Sequence, residues 1–405
     1  VHQRVARVSL LTSGAAGTKS ACMLSATRAF TSHLRRSTSK DAPRRKPAMP
    51  AEAPAESAAP LFTAEPTMAP DTTTQLRQVV LPSSPSKSLA AAAAATTNGT
   101  AAARAAAVPA AVRAALQQEH VKMKNPERAL AKIAKMIEGG ADELLVISDF
   151  DHTMSRAYDE KGERCWTTHG VFDNAQEMAD LAKKCKELSA HYLPIEFDGN
   201  MTIEEKIPHM EAWWRQSHEA IVEKGVQREV LEKLVLNSNI RLRDAADSLM
   251  AHLDAARVPL VMFSAGIGDI ISIFLAQRLG AVPSNMHIIS NMMTYDDKKV
   301  VSGFREPLIH TFNKNGKVIS KEEVNFFHEM RKRDNVILMG DSMGDLHMDV
   351  GVENHSEADT LKIAFLNQKI HLLPFYTDNY DLVIVDDQSM TVPRTIMDAI
   401  TAARK

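Results

Sequence analysis

The chain has 405 residues, 44% hydrophobic and 24% charged, with 17 Gly, 18 Pro and a net charge of -2, which excludes a collagen, a coiled coil and a wholly disordered chain. No run of about 18 apolar residues is present, so no membrane-spanning helix is expected. Cys22, Cys165 and Cys185 are too few for a disulfide framework and too far apart for a structural zinc site, which points to a reducing compartment.

Charge is unevenly spread along the chain. Residues 1–118 hold 14 Lys+Arg against 5 Asp+Glu, a balance of +9, and the remainder holds 34 against 45, or -11. The first part also carries 10 of the prolines and only Phe30 and Phe62 as aromatics. That is too little apolar area to offset the entropy of ordering, so residues 1–118 are expected to be a disordered basic extension. Residues 1–40 contain no acid but several Arg and many Ser, Thr and Ala, the composition of a mitochondrial or plastid transit peptide and equally of a basic tail. From Ala42 to about Thr100 the Pro/Ala/Ser/Thr sequence reads as linker. The sequons at Asn98 and Asn354 are read as chance matches, since no secretory signal peptide accompanies them.

The folded part opens with a helix: Asn125 suits the N-cap, Pro126 the first helical position, and Gly139-Gly140 ends an apolar pattern through Leu130, Ile133 and Ile137. Leu144 to Ile147 then reads as a buried strand. Further strands are expected at Pro259–Phe263, Val336–Met339, Ile363–Leu366 and Leu382–Val385, with a helix at Asp269–Leu279. Strands alternating with helices predict an α/β fold with a parallel sheet covered on both faces, whose ligands gather at the carboxyl ends of the strands. Between the first two strands lie roughly 105 residues, too many for a crossover. Helices are expected there at Asp173–His191, Ile203–Lys224 with a Thr202-to-Glu205 capping box, Glu229–Leu236 and Arg241–Arg257. Together they predict a helical cap over 154–257, inserted between core segments 119–153 and 258–405.

Four polar elements mark the chemistry. Asp149-Phe150-Asp151-His152-Thr153 leaves the first strand, and its spacing lets two carboxylates meet one ligand, although a turn-capping Asp pair has the same pattern. Phe263 to Asp269 leaves a strand and enters a helix, where Ser264 and backbone N–H groups suit an anion, or simply cap the helix. Lys314 offers a point charge for a phosphate. Gly340-Asp341-Ser342-Met343-Gly344-Asp345 places two more carboxylates at a strand end, a set suited to a hard cation such as magnesium.

This set, in this order, resembles the haloacid dehalogenase superfamily of aspartyl phosphotransferases. Asp149 to Arg156, Pro194 to Asp198, Glu204 to Lys206, Gln216 to His218, Phe263 to Asp269, Phe304 with Leu308 to Lys314, and Gly340 to Asp345 further resemble the cytosolic 5'-nucleotidase III family, also called pyrimidine 5'-nucleotidase, over about residues 120–400. The resemblance implies a nucleophile at Asp149 and an acid/base at Asp151. It implies Mg2+ held by the side chains of Asp149 and Asp341 and the carbonyl of Asp151, with Asp345 orienting the metal's water shell. Ser264, the Ala265 amide and Lys314 would hold the phosphate, Glu196 the base, and Ser217 would contact substrate. At most one of Trp213 and Trp214 can face a base, because adjacent residues point to different sides of a helix.

The expected activity is magnesium-dependent hydrolysis of nucleoside 5'-monophosphates, pyrimidine ones first, by a cytoplasmic monomer. Organelle import through the basic segment is the alternative location. 7-Methylguanosine monophosphate, another small phosphoester and a silent binding module are the alternative functions, and phosphoryl transfer to a second nucleoside would share the same intermediate. The -11 folded part argues against a nucleic-acid partner, and no membrane partner is expected.

Overall fold

The computed structural model describes residues 106–318, 333–350 and 360–403. The basic extension up to residue 105, its transit segment and both sequons lie outside the described residues. In chain order the elements are α1 (Ala110–Leu116), β1 (Val121–Lys122), α2 (Pro126–Gly139), β2 (Leu144–Ser148), α3 (Gly170–Asp173), α4 (Ala179–Glu196), α5 (Ile203–Lys224), α6 (Arg228–Leu236) and α7 (Ala246–Ala255). They continue with β3 (Leu260–Ile267), α8 (Gly268–Leu279), β4 (Met286–Asn291), β5 (Met293–Tyr295), β6 (Val301–Phe304), β7 (Asn335–Gly340), β8 (Thr360–Leu366), α9 (Leu373–Asn379), β9 (Leu382–Val385) and α10 (Thr391–Ala402). Among the described residues no helix is long and apolar enough to cross a membrane.

One sheet runs in the order β1-β9-β8-β7-β2-β3-β4, parallel throughout except for β1 against β9. Its centre is apolar on both faces: Leu144 and Val146 of β2 enter one core, Leu145 and Ile147 the other. This is the α/β sheet covered on both faces that the strand pattern predicts. The edge strand β4 and the β5–β6 hairpin were not predicted from the sequence.

Local signals set the helix ends. Asn125 Oδ1 accepts from the Arg128 amide at 3.0 Å, and Gly140 closes α2 with φ 70°. In α5 the capping box is present, Thr202 Oγ1 accepting from the Glu205 amide at 3.3 Å and Glu205 Oε2 from the Thr202 amide at 2.8 Å.

Three expectations are corrected. Disorder does not extend to residue 118: Val108, Val112 and Leu116 recur at helical spacing and are buried, and α1 packs on α10. The helix expected at 173–191 starts later and ends at Glu196, after the separate short α3. The helix expected at 241–257 begins only at Ala246, because Ala245 is left-handed (φ 63°). It also packs on the C-terminal helix rather than over the sheet's end, with His252 Nε2 2.6 Å from Thr401 Oγ1.

Register places the site. Ser148 of β2 pairs with Met339 of β7, and the pairing runs one residue further, the Asp149 amide donating to the Met339 carbonyl at 3.0 Å. Asp149 is thereby held where β7 gives way to Gly340-Asp341. Beyond it the chain makes a wide turn, Phe150–Met154, with His152 at φ 63°. Its carbonyls find a donor in Arg243, which lies in the extended stretch before α7 and is 1% exposed. The guanidinium donates to the carbonyls of His152 and Thr153, both at 2.6 Å, to Asn367 Oδ1 at 2.7 Å and to the Asp387 carbonyl, and lies 4.1 Å over the Phe365 ring. Replacing Arg243 by Met should cost about 3–5 kcal/mol in urea unfolding, since buried carbonyls lose their donors. Lysine should not restore it, because one ammonium cannot copy a planar fork.

Candidate active site

The centre of the site is a buried ammonium. Lys314 Nζ donates to Asp149 Oδ1 and to Asp345 Oδ1, each at 2.6 Å, and all three side chains are nearly inaccessible. Burial disfavours the lysine's charge, but the two carboxylates outweigh it and hold its pKa above the usual value. Asp345 is committed on both oxygens: Oδ2 accepts from the amides of Asp341 (3.1 Å) and Ser342 (2.9 Å) and from Ser342 Oγ (2.9 Å). That close approach needs Gly340, where a Cβ would overlap the Asp345 side chain. Asp345 thus holds both Lys314 and the turn after β7. The turn is braced from outside by the Tyr376 hydroxyl on the Asp341 carbonyl (2.7 Å) and the Tyr380 hydroxyl on the Ser342 carbonyl (2.5 Å).

Carboxylate oxygens of Asp149, Asp341 and Asp345 all lie within 4.8 Å of one another. Three acids against one lysine leave negative charge in a shielded place. Burial accordingly pushes Asp149 up to about 7 despite Lys314, and Asp341 well above the carboxylate range. Hard oxygen donors with surplus negative charge are a set that can hold a divalent cation.

Asp151 stands apart from this cluster and is held by a residue the sequence did not mark. The Thr168 amide donates to its Oδ1 at 2.9 Å and the Thr168 hydroxyl to its Oδ2 at 2.7 Å. Burial raises Asp151 to about 6, with both Thr168 bonds opposing. Thr168 Oγ1 also accepts from the Ile267 amide at 3.2 Å, tying Asp151 to the end of β3. Between them lies Gly266, where a Cβ would overlap Thr168 Oγ1 and sit 2.8 Å from Asp151 Oδ2. Ser264 is buried beside it, its Oγ accepting from the Gly266 amide at 3.0 Å.

Helices α4 and α5 of the insertion also reach this site. Trp214 Nε1 donates to the Ala265 carbonyl at 2.7 Å, and Glu196 Oε1 accepts from Thr311 Oγ1 at 2.9 Å. Trp213 instead stacks on Tyr192 with centroids 5.8 Å apart. Ser217 is buried on α5 beside His218 and makes no hydrogen bond to the other predicted site residues. Asn291 binds the Ser264–Gly266 turn to the stretch before Lys314, its Nδ2 reaching the carbonyls of Ala265 (2.8 Å) and Ile309 (2.7 Å).

Comparison with known proteins places the chain in a family. Residues 152–401 match the family described as pyrimidine 5'-nucleotidase (UMPH-1). The chain belongs to the pyrimidine 5'-nucleotidase family. A Caenorhabditis elegans relative named cytosolic 5'-nucleotidase 3 is 46% identical over 301 residues, 73% of this chain and 79% of the relative. A Gallus gallus relative named 7-methylguanosine phosphate-specific 5'-nucleotidase is 40% identical over 284 residues, 70% of this chain and 96% of that one. Among solved structures, cytosolic 5'-nucleotidase IIIB bound to cytidine is similar at 31% identity and a TM-score of 0.62, covering 71% of this chain and 95% of that one. The protein is thus a 5'-nucleotidase, on the α/β fold that its motifs predict.

Within this family site, the residues that sequence reasoning missed are Thr168, Asn291, Arg243 and Thr311. Thr168, Asn291 and Arg243 are single polar residues outside any motif, Thr311 lies in the Leu308–Lys314 stretch with no mark of its own, and only the adjacent Trp pair gave a signal for Trp214.

Lys314→Met should expose the electrostatics directly. A carboxyl whose folded pKa is raised binds more protons folded than unfolded, so stability falls as pH climbs from about 4 towards the folded pKa. Without the lysine that window extends above 7. In chelator, the drop in urea midpoint between pH 5 and pH 8 should be larger for Lys314→Met than for the parent. Buried histidines that titrate oppositely are common to both proteins and cancel in the comparison.

Proposed function

We propose that this 5'-nucleotidase hydrolyses nucleoside 5'-monophosphates, pyrimidine ones first, to nucleoside and phosphate in a magnesium-dependent reaction through an aspartyl phosphate on Asp149. The observation that carries it is the meeting of Asp149, Asp341, Asp345 and Lys314 beyond the ends of β2 and β7, with Asp151 held by Thr168 against the end of β3. Mg2+ would be held by the Asp149 and Asp341 carboxylates and the Asp151 carbonyl, and when bound it supplies the positive charge that lets an anionic nucleophile approach an anionic phosphate.

The remaining steps belong to the chain. Asp149 attacks phosphorus while the bond to O5' breaks, and Asp151, with its pKa near 6, gives its proton to that oxygen. Water then attacks the aspartyl phosphate, Asp151 takes the proton, and phosphate leaves with Asp149 regenerated. Lys314, 2.6 Å from Asp149, stands where it can balance a phosphoryl oxygen, with Ser264 and the Ala265 amide opposite.

Helices α4 and α5 serve as the cap. Glu196, an acceptor-only carboxylate, receives an N–H from the base, and Ser217 contacts the substrate from α5. The pyrimidine preference is supported by the family's description and by the cytidine in the similar solved structure. 7-Methylguanosine monophosphate is a second reading, supported by the names of the avian and amphibian relatives. The same carboxylate can accept from the exocyclic amine of cytosine or from the N–H edge of guanine. A cytoplasmic monomer belongs to the same proposal, supported for location by the name of the nematode relative.

Phosphate release from a panel of nucleoside 5'-monophosphates, with magnesium and then with chelator, tests this. Release should require the metal, favour the cytidine and uridine nucleotides, and fall by roughly 10³-fold or more in Asp149→Asn. No release from any nucleotide would reject the activity, and release from 7-methylguanosine monophosphate alone would reject the base preference.

Thr168 offers a finer check. Its hydroxyl favours ionised Asp151, so Thr168→Val should raise the Asp151 pKa above about 6. Protonated Asp151 is needed for the first step, so the fall of kcat/KM with rising pH should move up by about one unit. A shift downward or none would remove Asp151 as the acid.

A further inference from the structure

Glu196 and Lys314 serve opposite ends of a substrate, yet one short stretch of chain connects them. Thr311 donates to Glu196 Oε1 at 2.9 Å, and Lys314 follows three residues later. The stretch is stiff for local reasons. Asn313 Oδ1 accepts from the His310 amide at 2.7 Å, Asn313 Nδ2 donates to the Leu308 carbonyl at 2.9 Å, and His310 Nδ1 accepts from the Phe312 amide at 3.2 Å. Asn291 clasps Ile309 on both main-chain groups, at 2.9 Å and 2.7 Å. Thr311 itself lies against Gly344, where a Cβ would overlap the Thr311 carbonyl.

Glu196 is tied to this stretch a second time. Lys206 of α5 donates to the Glu196 carbonyl at 3.0 Å, and the same ammonium lies 5.8 Å from the Phe312 ring centroid. The main chain of Glu196 is thus fixed through Lys206 and its side chain through Thr311.

A carboxylate at the end of a helix can otherwise turn about its side-chain torsions and offer either oxygen. With Oε1 occupied by a hydroxyl, one oxygen remains for an incoming donor. Burial pushes the Glu196 pKa up, and the Thr311 hydroxyl, donating to the carboxylate, opposes that rise.

We propose that Thr311 is the positioning residue for Glu196: it occupies one carboxylate oxygen, presents the other to an N–H of the base, and, standing three residues before Lys314, sets the distance between base and phosphate sites. The inference rests on Glu196 as the base acceptor. It makes the loop that carries the phosphate lysine part of the base-reading apparatus. A base that turns only acceptors to that point, with no N–H to offer, would meet a fixed negative oxygen and be rejected.

The test compares Thr311→Val, Thr311→Ser and Glu196→Ala in the full chain with magnesium, on cytidine 5'-monophosphate and on 4-nitrophenyl phosphate, which has no base. Thr311→Val should raise KM for the nucleotide about tenfold with kcat within about twofold, lowering the ratio of nucleotide to aryl phosphate kcat/KM. Thr311→Ser should restore that ratio. Adding Thr311→Val to Glu196→Ala should change nothing further, because the two act as one unit. If Glu196→Ala raises the nucleotide KM and Thr311→Val does not, the positioning role is overturned. It is equally overturned if Thr311→Val lowers both substrates alike, which would make Thr311 a support for Lys314. If Glu196→Ala leaves the nucleotide KM unchanged, Glu196 is not the base acceptor and the inference fails with it.

Discussion

A lysine buried between two aspartates is the constraint around which the site is built. An ammonium out of water must be paired, and Lys314 is paired only if the end of β2, the turn after β7 and its own loop reach one point. The neighbouring structure follows from this requirement. Gly340 lets Asp345 close on the turn, Gly344 lets the turn lie against Thr311, and the two tyrosines brace it from outside. The same pairing leaves the acids with more negative charge than the lysine carries, a surplus suited to a divalent cation.

In the proposed mechanism, acid/base handling is kept separate from that cluster. Asp149 sits under the influence of Lys314 and Asp345, while Asp151, two residues on, turns to Thr168 and the end of β3. Neighbours in sequence thereby acquire different surroundings, and a nucleophile and a proton carrier can come from one short motif.

What the sequence revealed was whatever is encoded over a few residues. The Asp pair after β2, the glycines and acids after β7, and the caps of α2 and α5 are local patterns, and each is found where its spacing puts it. Thr168, Asn291 and Arg243 act on residues far away in the chain, so nothing beside them in sequence announces a role. Helix α1 was hidden by its alanine-rich surroundings, because Val108, Val112 and Leu116 form a packing stripe only once α10 is there to receive it. β4 was missed because His287 and Ser290 interrupt its apolar run, as an edge strand permits. The helix boundary at Ala245 was unpredictable for another reason: alanine gives no hint of a left-handed backbone.

The fork of Arg243 has a consequence for motion. It joins the loop beyond Asp149 to Asn367 after β8 and to Asp387 after β9, and Asn367 Nδ2 reinforces the link by donating to the His152 carbonyl at 3.0 Å. Opening that loop alone would strip a buried guanidinium of acceptors, a costly excursion compared with ordinary loop fraying. The loop and the C-terminal strand ends therefore form one cooperative unit that exchanges its amides together. Helices α4 and α5 meet the core through other groups, Trp214 on the Ala265 carbonyl and Glu196 on the Thr311 hydroxyl, so they can shift without breaking the Arg243 fork.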